Sequence, residues 1–244
     1  MIGRIAWLGS LLVLAVMTAA LQLDRQADAD PALAPLVPQP VRSYAQTQIA
    51  ALAAGSDSGA LAVEEARRLV RRRPVPAEHL TLLAIAQIKA GQAEQAGTTI
   101  QIAGQRGWRD PVAQEAVLRL ALAAGDKPEA ARRYAALFLR AATPNELLQE
   151  VGPAVLAETG GAGQRTLVDI ISGTDRWNEA FLHRGAQVMT PATFTDIAAA
   201  TIARGTRFDC AVMAQTIKVL GQRDAASAER LRAAAGGQCE NVAG

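Results

Sequence analysis

From residue 60 onward, apolar residues recur at three- and four-residue spacing, and Gly or Pro interrupts the pattern every 12–18 residues. This is the rhythm of consecutive amphipathic helices, and no stretch alternates at the period of two that a half-buried strand needs. The pattern predicts helices over 44–54, 60–73, 77–90, 92–105, 111–124, 127–141, 145–158, 164–173, 176–188, 191–204, 208–220 and 224–235. Several starts carry their own signals. Asp110-Pro111 sets an N-cap before a proline at the first helical position, Thr190-Pro191 repeats it, and Thr143-Pro144-Asn145-Glu146 adds a capping-box glutamate.

The extreme N-terminus differs. Between Arg4 and Asp24 lie 19 uncharged residues, Ile5 to Leu23. As a helix they would extend ~28 Å, just enough for the ~30 Å hydrocarbon core of a bilayer. Met1 and Arg4 precede the run and Asp24, Arg25, Asp28 and Asp30 follow it, so the positive-inside rule leaves the N-terminus in the cytoplasm and the remainder outside. A cleaved signal peptide is the alternative, with Ala27-Asp28-Ala29 as a small-x-small cleavage pattern and Thr18-Ala19-Ala20 as a poorer match to it. Pro31, Pro35, Pro38 and Pro40 come next, within ten residues, and predict an extended spacer of ~30 Å holding the folded part off the bilayer.

Composition narrows the class. Half of the chain is hydrophobic but only 4% is aromatic, so the apolar content is largely Ala, Leu, Val and Ile, which favours close helix packing over sheets. A net charge of +2 is too small for a dedicated nucleic-acid binder. Lysine occurs only at Lys89, Lys127 and Lys218; the Arg and Ala bias fits a GC-rich bacterial genome.

A period runs through the helices. Gly91 and Gly125 stand 34 residues apart, as do Ala96 and Ala130, and Ile100 and Tyr134. Leu80, Leu83, Ala84, Gly91, Ala96, Ile100 and Ala103 carry large and small residues in the order of a tetratricopeptide repeat, and Val117, Gly125, Ala130 and Tyr134 continue it in a second unit. Over about residues 60–141 the chain therefore resembles tetratricopeptide-repeat proteins. It departs from the motif at Leu118 and Leu137, where small residues are usual. The junction Gly107-Trp108-Arg109-Asp110-Pro111 is similar to repeat proteins of alphaproteobacterial envelopes. The resemblance implies an all-α fold, a right-handed α-solenoid of antiparallel helix pairs, behind an N-terminal transmembrane or signal helix. The expected organisation is an anchor or signal peptide at 1–23, a Pro-rich linker at 24–43, repeats at 44–159 and a drifted helical region at 160–244, divided at Gly160-Gly161-Ala162-Gly163.

The same resemblance places a partner-binding groove on Glu78, Thr81, Ile85, Ile88 and Lys89 and, in the next unit, on Val112, Glu115, Arg119 and Leu122. A protein or peptide partner is implied; the location expected from the apolar run, with the inner membrane engaged through residues 5–23 and the bulk in the periplasm, is what would suit an envelope-assembly or polysaccharide-export machine. No nucleic acid, cofactor or metal is expected.

A few other residues could carry chemistry. Cys210 opens one helix and Cys239 stands just past the next; two antiparallel helices on a short loop bring them within disulfide reach, and one buried and one tail thiol is the alternative. Arg67, Arg68, Arg71 and Arg72, with Arg73, crowd one helix, either as a solvated face paired with Glu64 and Glu65 or as a contact for anionic lipid or an acidic partner. His183 has Glu179 one turn before it, a surface pair or the start of an acid–base site. No phosphate loop, dinucleotide fingerprint, zinc-protease motif or nucleophile elbow occurs, so no catalytic residue is assigned. A helical periplasmic enzyme with its site in the C-terminal half is the alternative to a scaffold or adaptor.

Overall fold

The structure, a computed structural model, describes residues 2–239. The described residues are all-helical, without strands. A long helix α1 (Ile2–Gln26) is followed by two short 3-10 segments, Pro31–Leu36 and Gln39–Val41. Then come α2 (Tyr44–Gly55), α3 (Gly59–Arg72), α4 (Ala77–Lys89), α5 (Ala93–Arg106), α6 (Pro111–Ala123), α7 (Lys127–Phe138) and α8 (Asn145–Leu156). They are followed by α9 (Ala162–Ser172), a 3-10 turn at Asp175–Trp177, α10 (Asn178–Val188), α11 (Pro191–Ala203), α12 (Cys210–Arg223) and α13 (Ala225–Ala235). The chain forms two compact units, divided between Ala113 and Gln114. The Gly160–Gly163 break lies inside the second.

Local chemistry sets the helix ends. Side chains of Ser58, Asp126, Thr190, Asp209 and Asp224 accept from backbone N–H groups of the first turns they precede. Gly91 and Gly125 share one termination. Gly91 N–H donates to the Ile88 carbonyl at 3.0 Å and Gln92 N–H to the Gln87 carbonyl at 2.8 Å. Gly125 and Asp126 repeat this on Leu122 and Ala121 at 3.1 and 2.9 Å. Both glycines have φ near +75°, where any Cβ is strained. The 34-residue spacing of the sequence is thus a spacing of identical backbone stops.

In the first unit α2, α3, α4 and α5 pack each on the next, and α2 also meets α4. Ala62, Val63, Ala66 and Ala86 form the centre of the α3–α4 contact. In the second unit the helices fall in two rows. One holds α7, α9, α11 and α13, the other α8, α10 and α12, and each member packs on the next of its row. The core between them carries a run of aromatic rings, Tyr134, Phe138, Phe181, Phe194 and Phe208, with neighbouring centroids 5.3–6.4 Å apart. A Cβ at Gly163 would collide with the Val155 carbonyl oxygen, so α9 begins against the backbone of α8.

Several expectations change, among them the capping box at Thr143–Glu146, where Pro144 is the N-cap and no side chain caps α8. The proline-rich segment is not an extended spacer: it folds into 3-10 turns, in which proline's fixed φ is tolerated. Ala27, Ala34, Val37 and Ala45 form a small buried cluster, with Leu23, Leu33, Val41 and Ile49 packed against it. The helix after the glycine-rich break starts at Ala162, two residues early, because Gly163 is helical. And α12 continues through Gly221 to Arg223, where Asp224 ends it and caps α13.

Candidate functional site

The α1 helix is long and apolar enough to cross a membrane or serve as a signal sequence, and none of its apolar window is buried. Its far end is different. Asp24 is 3% exposed, and its carboxylate accepts from Ser43 N–H at 2.8 Å, Tyr44 N–H at 3.2 Å and Ala45 N–H at 3.0 Å. These are the orphan donors at the start of α2, and a carboxylate there also meets the positive end of the helix dipole. Ser43, in the N-cap position, makes no side-chain cap of its own. The last turn of α1 is therefore the cap of α2. The partners are 19–21 residues apart in sequence, a distance no local capping pattern reveals.

The residues implied by the repeat resemblance divide between the two units. On α4, Ile85 is 45% and Ile88 61% exposed, one turn apart, and Glu78 is exposed in the first turn of the same helix. Thr81 does not join that surface. It is buried, and its hydroxyl donates to the carboxylate of Asp110, whose other oxygen accepts from Val112 and Ala113 N–H at the start of α6. Lys89 has an internal task too: its ammonium donates to the carbonyls of Ala54 and Ser56 and so caps the C-terminal end of α2. Val112 is half exposed. In the second unit Arg119 donates to Glu115 and Glu150 at 3.0 Å each, and these hydrogen bonds, Glu150 first, raise its pKa further above the usual arginine value. Leu122 is partly buried against the core.

The arginine cluster of α3 is mostly used internally. Arg68 pairs with Glu64 and Glu65 at 2.6 and 2.5 Å, and Glu65 also accepts from Gln46 at 2.7 Å. Arg72 donates to the Arg42 carbonyl at 2.6 Å, and Arg73 lies over the Tyr44 ring at 4.5 Å. Arg67 and Arg71 remain exposed. Cys210 and Cys239 are joined by a disulfide with Cα atoms 5.5 Å apart, closing the α12–α13 hairpin. His183 Nε2 stands 3.8 Å from Glu179 on an exposed face of α10, where such a pair contributes little. Trp108 is half exposed with Arg109 against its ring.

The surface also carries open hollows, among them one of about 340 Å³ between α9 and α11. One of about 390 Å³ in the first unit is lined by Pro35, Arg42, Ile49, Leu52, Leu61 and Glu65. One of about 230 Å³ in the second lies between α8 and the α10–α11 junction, with Arg223 at its edge. No group of three or more candidate metal ligands occurs among the described residues. No family model, curated protein or solved structure matches this chain.

Proposed function

We propose that this chain is a membrane-anchored scaffold or adaptor of helical repeats, with α1 retained in a bacterial inner membrane, the bulk in the periplasm, and a protein or peptide partner bound on the exposed face of α4. One observation carries the reading: the end of α1 is built into the first unit. Cleavage after Ala29 would remove Asp24, the cap of α2, and Ala27, which is fully buried. A signal peptide cut there would carry off the cap and part of the core of the domain it leaves, whereas a cut after Ala20 would spare both.

The fold reading is supported by the identical stops at Gly91 and Gly125 and by the two rows of alternate helices in the second unit. Both are what a right-handed α-solenoid of tetratricopeptide-like hairpins produces. Ile85 and Ile88 support the binding face, since two large aliphatic side chains one turn apart suit the anchors of a docked peptide.

The test uses the full chain, tagged at its C-terminus. Retention in the membrane pellet after alkaline carbonate, at full-length mass, is expected; a shortened soluble product would sink the anchor. A photoreactive residue at Ile88 should give a discrete crosslinked partner that the same residue at exposed Gln101 of α5 does not give. Equal or absent adducts at the two positions would remove the binding face.

A further inference from the structure

The anchor and the arginines of α3 meet at one place. Leu23, the last apolar residue of the long run, packs against the cluster formed by Ala27, Ala34, Val37 and Ala45. The 3-10 turns and the start of α2 therefore lie level with the end of the apolar run. With α1 spanning a bilayer, that level is the headgroup layer, which adds only about 5–7 Å per leaflet beyond the hydrocarbon.

The α3 helix brings its charge to the same level. It packs on α2 and ends beside the start of α2, where Arg72 donates to the Arg42 carbonyl and Arg73 covers Tyr44 and donates to Thr47 Oγ1 at 3.5 Å. Arg42 immediately precedes Ser43, whose N–H is held by Asp24. Five arginines, Arg25, Arg42, Arg71, Arg72 and Arg73, thus sit within a few residues of the membrane end of the fold. Three are partly occupied by internal acceptors: besides Arg72 and Arg73, Arg42 donates to the Val37 and Pro35 carbonyls at 2.7 and 3.3 Å. Arg25 and Arg71 are exposed. Asp24 is consumed by capping. The carboxylates left on this side are Asp28, Asp30 and, in the first turn of α4 beside the end of α3, Glu78, all exposed, and Asp30 is itself engaged by Ala32 N–H at 3.1 Å. Leu36, 66% exposed on the same 3-10 turn, adds an apolar side chain.

We propose that this end of the first unit is a binding surface for anionic lipid headgroups, with Arg25 and Arg71 as its free contacts and Leu36 as an apolar foot in the interface. The proposal rests on α1 being a retained anchor. Its source of anion is fixed by continuity: the surface begins one residue past the apolar run, so the bilayer holding α1 meets it without any further partner. Arginine presents a planar fork of donors that matches phosphate, and each basic residue near an anionic bilayer contributes on the order of 1 kcal/mol.

The test compares full-length protein in nanodiscs of phosphatidylcholine with discs containing phosphatidylglycerol, by hydrogen exchange. Amides of residues 33–45 and 68–74 should exchange about tenfold more slowly in the anionic discs. The double variant Arg25→Gln/Arg71→Gln, which spares the hydrogen bonds of Arg42, Arg72 and Arg73, should lose most of that slowing while matching the wild type in neutral discs. Equal exchange in the two kinds of disc, or slowing that the double variant retains, overturns the proposal and leaves the anchor intact. Failure of the chain to enter discs at all overturns the anchor as well. Soluble polyglutamate slowing the same amides where anionic discs do not would show a surface for an acidic macromolecule and reject the lipid.

Discussion

Arg184 of α10 holds the backbone carbonyl of Phe138, 46 residues earlier at the end of α7, at 2.6 Å. The same guanidinium donates to the carbonyls of Arg140 at 2.8 Å and Thr143, and to Asn145 Oδ1 at 3.0 Å. One side chain thus closes the whole α7–α8 connection. The device recurs: Lys89 serves Ala54 and Ser56, Arg106 serves Pro74, Lys127 serves Ala154, and Arg223 serves Ala186 and Met189. Helix C-termini leave carbonyls without partners, and a cation also suits the negative end of the dipole. In this chain another helix often supplies it.

Replacing Arg184 by methionine should therefore lower stability by about 2–4 kcal/mol, because partly buried carbonyls lose a charged donor with nothing in its place. Lysine should recover only part of this, since an ammonium cannot span acceptors on both sides as the guanidinium fork does. Urea unfolding of the two variants measures it. Full recovery by lysine would show that charge alone matters there.

Glu129 predicts a pH dependence. Burial works against its carboxylate, but hydrogen bonds from Arg132 and Arg133 outweigh burial and hold its pKa below the ordinary 4.5. A carboxylate with a lowered folded pKa stabilises the fold above its unfolded pKa, and that stabilisation fades as pH falls through the folded value. The stability gap between wild type and Glu129→Gln should be widest near neutral pH and shrink below about pH 4. Unfolding midpoints measured from pH 7 to 3 would test it, and a gap independent of pH would mean that the arginines bind glutamine as well as glutamate.

The Cys210–Cys239 bridge closes a loop with a sequence separation of 29. By loop entropy alone such a bridge contributes roughly 3–4 kcal/mol. Reduction should open α12 and α13 first, seen as faster exchange over residues 210–239 with residues 127–172 little changed. Uniform acceleration over the second unit would instead make the hairpin part of one cooperative core. Oxidation also reports compartment: protein recovered from envelopes should resist thiol alkylation until reduced, whereas a chain lacking residues 1–23 and kept in the cytoplasm should be alkylated at once.

Most helix boundaries are legible in the chain, because they are set within a few residues. Asp126, Thr190 and Asp224 each cap the helix after them, and Gly91 and Gly125 each stop the helix before them. Where sequence and structure differ, the partners are distant along the chain. Four prolines argue for an extended segment, yet Ala27, Ala34, Val37 and Ala45 cluster around the turns and compact them. Thr81 has the spacing of a groove residue, but Asp110, 29 residues on, takes its hydroxyl. Lys89, which has the spacing of a ligand contact and stays exposed, also caps α2. Asp24 reads in the sequence only as a flanking charge, since nothing near it shows that its carboxylate meets the backbone of Ser43, Tyr44 and Ala45.

The capping of α2 by Asp24 also bears on how the first unit would search for the proposed partner. A flexible linker of twenty residues lets its cargo roam over roughly 25 Å, and any surface on it then samples many heights and angles. Here the apolar run ends one residue before the clamp, so with α1 in a bilayer that wandering is removed. The exposed face of α4 would be presented at one altitude. A partner confined to the same membrane would meet it by lateral diffusion alone, at an encounter frequency set by the two-dimensional density of both and hardly at all by tether length.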